Sequence, residues 1–109
     1  MREIKFRGLN KHGVWIYGWL LKDVFNNQFC YGIKEDRQKP EWARYETIGQ
    51  FTGLKDVNGV EIYEGDRTQH GVVEFSGGCW NTNGDTPLYW FKNIKIIGNI
   101  HQNPELGDL

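Results

Sequence analysis

Apolar side chains recur along this chain with a period of two, a spacing that points to half-buried strands rather than helices. Ile4 and Phe6 fall on one side of an extended segment, while Glu3, Lys5 and Arg7 fall on the other. Residues 14–21 go further. Val14, Ile16 and Leu20 form one face and Trp15, Tyr17 and Trp19 the other, so neither face is polar. Such a strand calls for cover on both sides, from a loop or helix of its own chain or from a partner.

The same period continues downstream, punctuated by turn residues. Residues 8–13 read as a turn, and residues 23–31 as a short helical turn leading into a strand around 29–33. The polar stretch 34–44 reads as a solvated connection around Pro40, with Trp42 folded back as an anchor. Strands are expected at 45–51, 60–63, 70–75, 88–91 and 93–100, with Ile94, Ile96 and Ile100 on one face and Val73 and Phe75 on another. Asn58-Gly59, Glu64-Gly65-Asp66 and Gly77-Gly78 mark the corners between them. Asn103-Pro104-Glu105 has the cap, first-turn proline and acid of a helix start.

These elements predict a mainly β fold, either a small antiparallel barrel or two packed sheets. SH3-like bent strands fit the pattern, and helix is restricted to short turns. With 109 residues, one domain spanning 1–109 is expected. Five tryptophans, five tyrosines and six phenylalanines are enough for a core and leave aromatics over for a surface. The leftover candidates for an interaction surface are Trp15, Tyr17, Trp19, Trp80, Tyr89 and Trp90.

Charge narrows the function classes. The formal net charge is −1, so no global field draws in nucleic acid or an anionic membrane. A local basic row, Arg2, Lys5, Arg7 and Lys11, is the candidate nucleic-acid surface, with Trp15, Tyr17 or Trp19 available to stack bases. No stretch approaches the roughly 20 apolar residues of a membrane span. Together with two widely separated cysteines, Cys30 and Cys79, read as reduced and buried, this predicts a cytoplasmic protein.

Catalytic patterns are weak. Glu61, Glu64 and Asp66 are the densest acidic cluster and could hold a hard cation or act as an acid–base pair. The competing reading is a polar hairpin rim in which Asp66 accepts backbone N–H groups. His12, His70 and His101 are dispersed, and only an assembly of His70 and Cys79 with one further distant residue would give a zinc site. Ser76 is the one serine and lies in no nucleophile motif, and no phosphate-binding glycine loop is present. No cofactor is implied.

Four segments carry a wider likeness. They are Met1-Arg2-Glu3-Ile4-Lys5-Phe6-Arg7, Gly49-Gln50-Phe51-Thr52-Gly53-Leu54-Lys55-Asp56 with Asn58-Gly59, Glu61-Ile62-Tyr63-Glu64-Gly65-Asp66, and Ile97-Gly98-Asn99-Ile100-His101-Gln102-Asn103-Pro104-Glu105-Leu106. In this order, across nearly the whole chain, they resemble the YopX protein family. The chain departs from the family pattern at Leu9-Asn10 and Arg67-Thr68. The resemblance implies a β-rich protein of phages, prophages and related mobile elements, with no established activity and no catalytic residues to transfer. The expected function is therefore non-enzymatic, an accessory role exercised by binding. Contact with an unidentified protein and self-association into a homo-oligomer lead, nucleic-acid binding comes second, and a metal-dependent enzyme at the acidic corner comes last.

Overall fold

The computed structural model describes residues 5–25, 27–35, 39–82 and 86–102. Arg2, Ile4 and the helix start expected at 103–105 lie outside the described residues. The chain is mostly strand, arranged in two antiparallel sheets that do not close into a barrel. Among the described residues helix is limited to two 3-10 turns, Tyr45–Thr47 and Leu88–Trp90. Two compact units divide the chain, Met1–Phe51 and Thr52–Leu109.

In the first unit the strand order is β4-β3-β2-β1-β5. The strands are β1 Phe6–Leu9, β2 Trp15–Phe25, β3 Gln28–Lys34, β4 Glu41–Ala43 and β5 Gly49–Lys55, the last running on into the second unit. β1 is longer than the sequence reading allowed, because Gly8 serves close packing and not the turn. A Cβ there would stand 2.8 Å from the Cβ of Ala43. The turn proper is built on Asn10, whose Oδ1 accepts the N–H of His12 at 2.9 Å and of Val14 at 3.0 Å.

β2 changes partner along its length. Residues 15–18 pair with β1 and residues 19–25 with β3. The helical turn expected within 23–31 does not form. Asp23, Val24 and Phe25 stay in register with Cys30, Phe29 and Gln28, and Asn27 supplies the turn at φ 63°. Asparagine tolerates that left-handed region better than most residues. The expected strand at 45–51 begins only at Gly49. Buried Thr47 is held in the 3-10 turn by its hydroxyl, which donates to the carbonyl of Arg44 at 2.6 Å and accepts the N–H of Leu9 at 2.9 Å.

The second unit contains β6 Glu61–Tyr63 and a five-stranded sheet. The sheet is made of β7 Asp66–Thr68, β8 Gly71–Ser76, β9 Cys79–Thr82, β10 Thr86–Pro87 and β11 Ile96–Asn99, in the order β10-β9-β8-β7-β11. Ile62, Val73 and Leu88 are fully buried and pack with Ile94, while Trp80, Phe91 and Ile96 close around them. The expected strand at 88–91 is instead the 3-10 turn that drives Leu88 into this core. A register shift between Ile96 and Gly98 splits the expected Ile94, Ile96, Ile100 face: Ile94 is buried and Ile100 exposed. Phe75 likewise leaves Val73's environment for the surface, where it meets the Trp80 ring edge-on at 5.0 Å.

Asp56 organises the Asn58-Gly59 turn. Its Oδ1 accepts the N–H of Asn58 at 2.8 Å and of Val60 at 2.9 Å, and its Oδ2 accepts the N–H of Ile96 at 3.2 Å. Burial alone would raise its pKa. The three N–H donors and the charge of Lys95 outweigh burial and hold the carboxyl below its ordinary 3.8. A depressed folded-state pKa stabilises the fold above the unfolded value, and that contribution is lost as pH falls through the folded one. Denaturant titrations should therefore show wild-type stability declining below about pH 4, with a shallower decline in Asp56→Asn. Equal slopes in the two proteins would remove Asp56 from this role.

Candidate interaction surface

The arm formed by the second half of β2 with β3 and β4 carries an open apolar face. Cross-strand register places Trp19 opposite Lys34, Leu21 opposite Gly32, and Gly32 opposite Trp42. Directly opposed residues of antiparallel strands share a face, so Trp19, Leu21 and Trp42 form one ridge. They are 64%, 37% and 55% exposed. Gly32 makes the ridge continuous, since the Trp42 ring edge lies 3.5 Å from where a Cβ would stand. The expectation that Trp42 folds back as an anchor is thus corrected: it lies open beside its strand. On the opposite face, Ile33 is buried and Leu20 half-buried. The strand that looked apolar on both sides is partly covered on one, where Ile16 and Leu20 are half-buried and Val14 is exposed.

Of the other aromatics singled out in the sequence, Tyr17 is exposed on β2, while Trp15 is half-buried beneath the Arg7 guanidinium at 4.1 Å from its ring. In the second unit Trp80 packs against the core, whereas Tyr89 and Trp90 are exposed and meet edge-on at 6.4 Å. The residues of the basic row differ in exposure. Arg7 is only 6% exposed, and the Lys5 ammonium sits 5.4 Å above the Phe51 ring. Lys11 is exposed in the β1–β2 turn, and Arg2 lies outside the described residues.

Comparison with known proteins places the chain. The family model described as YopX protein matches residues 5–107. The chain belongs to the YopX protein family. No curated protein matches it.

In this YopX family member two residues of the acidic corner are hydrogen-bonded to Tyr63. Asp66 is buried and its Oδ2 accepts the N–H of Tyr63 at 2.8 Å, while Glu61 Oε1 accepts the Tyr63 hydroxyl at 3.0 Å. Glu64 is half-buried in the same turn. Among the described residues no three of His, Cys, Asp and Glu gather where they could hold a metal ion. Exposed His70 stacks on Phe91 at 3.9 Å, and His101 lies against Gly65. Cys30 and Cys79 are free thiols and half-buried, more open than their reading as buried hydrophobes. A cavity of about 190 Å³ beside Trp15, Tyr17, Ile33, Glu35 and Glu41 falls below the roughly 300–1,000 Å³ of most small-molecule sites. Among the described residues no helix is long and apolar enough to cross a membrane.

The sequence pointed to Trp19 and Tyr17 but missed Trp42 and Gly32. Glycine inside a strand signals close approach by another group, and that signal at Gly32 was available. The identity of the approaching ring was not, because it depends on pairing between β3 and β4.

Proposed function

We propose that this protein acts by binding rather than catalysis, as an accessory protein of a phage or prophage working in the host cytoplasm. Its contact surface is the ridge of Trp19, Leu21 and Trp42, and the first occupant of that surface is a second copy of the chain. The observation that carries this reading is three large apolar side chains open side by side on one sheet face. Contiguous exposed apolar surface marks interaction sites, and tryptophan is enriched among residues that dominate binding energy. Nucleic acid is disfavoured as the occupant, because Arg7 is committed to Trp15 and buried.

Sedimentation equilibrium over a range of concentrations tests the proposal. The wild type should assemble to a multiple of its 12.8 kDa chain. Replacing Trp19 and Trp42 together by Ser should weaken assembly about a thousandfold or more, as expected for two residues each worth roughly 2 kcal/mol. A wild type that keeps the mass of one chain at millimolar concentration overturns self-association. DNA binding that falls with salt and disappears in Lys5→Glu would transfer the function to the basic row.

A further inference from the structure

The ridge has a charge at each end, and their placement dictates how two copies can meet. Trp19, Leu21 and Asp23 alternate along one face of β2, and register places Lys34 beside Trp19 and Cys30 beside Asp23. The face therefore reads, row by row along the strands, Trp19 with Lys34, then Leu21 with Gly32 and Trp42, then Asp23 with Cys30. Asp23 is exposed and Lys34 half-buried. The Asp23 Oδ1 accepts the N–H of Val24 at 2.8 Å, which turns the carboxylate along its own strand. The two charged rows are four residues apart, about 13 Å, with the apolar row midway between them.

We propose that two chains stack face to face about a two-fold axis lying along the Leu21–Gly32–Trp42 row, with Lys34 of each copy meeting Asp23 of the other. This names the geometry of the self-association argued above and rests on that reading. A two-fold contact requires a surface complementary to itself. Rotation about an axis along the central row reverses the strand direction. It brings the row of Trp19 and Lys34 over the row of Asp23 and Cys30, so that Lys34 stands over Cys30 and one strand spacing, about 5 Å, to the side of Asp23, while Leu21 faces Leu21 and Trp42 faces Trp42. Both charge pairs are then attractive. A two-fold axis parallel to the strands would instead bring the Lys34 row over the other Lys34 row and the Asp23 row over the other Asp23 row, so that only like charges could meet, which repulsion disfavours. Facing sheets pack about 10 Å apart, a gap that a lysine arm and an aspartate can cross together.

Charge exchange tests this arrangement separately from assembly itself. Lys34→Asp places two acids against each other twice in a homodimer, and Asp23→Lys places two lysines so. Each variant alone should dissociate at least tenfold more readily than wild type, with circular dichroism confirming an unchanged fold. Mixed in equal amounts, the two variants should assemble with each other, because both pairs are again opposite in sign. Recovery of the two-chain mass only in the mixture is the expected result. A wild type that assembles, with single variants that match it or a mixture that stays at one-chain mass, overturns the arrangement while leaving self-association intact. A wild type that never assembles overturns both.

Discussion

Gly18→Ala should destabilise the β2–β3 arm by about 3–5 kcal/mol, the sum of a steric clash and a strained backbone. Gly18 lies where β2 passes from β1 to β3, since Phe6 is its partner on one side and the next residue, Trp19, pairs with Lys34. A Cβ at this position would stand 2.2 Å from the carbonyl oxygen of Lys34 and 2.9 Å from the amide nitrogen of Glu35. Both are backbone atoms, so no side-chain rotation relieves the contact. The strands must separate where their pairing begins. The backbone is also at φ +149°, in a region that L residues rarely adopt. Hydrogen exchange at the amides of β2 and β3 would measure the loss directly. Gly53→Ala is the control: its φ is +87° but nothing lies within 4 Å of the added methyl, so it isolates backbone strain, about 1–2 kcal/mol. Equal losses in the two variants would mean that close approach at Gly18 is not what requires glycine. The consequence for binding follows, because Trp19 and Leu21 hold their places on the ridge only while residues 19–25 remain paired with β3.

Gly18 also illustrates what could be read in the sequence. A glycine within an alternating apolar run is a recognised sign of close backbone approach, yet the surrounding tryptophans and tyrosine drew the reading toward faces rather than toward the backbone. The features that proved legible were local ones. The β-rich class followed from the period of two, and the corners at Asn58-Gly59, Gly65 and Gly77-Gly78 followed from turn chemistry confined to two or three residues. What failed depended on competition or on distance. Residues 45–47 and 88–90 have strand-like composition, but the hydroxyl of Thr47 and the burial of Leu88 favour 3-10 turns there. The Ile96-Ile97 pair offers two equivalent side chains, so nothing in the sequence marks which one the irregularity in β11 displaces. The ridge was half visible for the same reason. Trp19 lies in a recognisable strand, whereas Trp42 joins it only through the pairing of β4 with β3 across a polar stretch that reads as a connection.

Leu88→Ala should lower the stability of the second unit by about 3–5 kcal/mol, a large share of the roughly 5–15 kcal/mol that holds a domain of this size together. Leu88 is fully buried, and it packs with Ile62, Val73 and Ile94 from a 3-10 turn in which the Phe91 N–H donates to the Leu88 carbonyl at 3.2 Å. Removing the side chain loses its transfer free energy and leaves a cavity. Collapse into that cavity is restricted, because Ile62 and Val73 sit on paired strands that cannot shift without breaking their ladders. The loss should therefore lie toward the upper end of the range. The turn also places Tyr89 and Trp90 at the surface, so loosening it should quench or shift tryptophan fluorescence before the unit unfolds. Leu54→Ala, at an exposed position on β5, should cost no more than about 1 kcal/mol. Chemical denaturation of both variants, followed by circular dichroism and fluorescence, separates the outcomes. A Leu88→Ala loss no larger than that of Leu54→Ala would show that the core is not centred on this turn. A large loss that leaves the assembly of wild-type and variant chains equally tight would show that self-association through Trp19, Leu21 and Trp42 does not depend on the stability of the second unit.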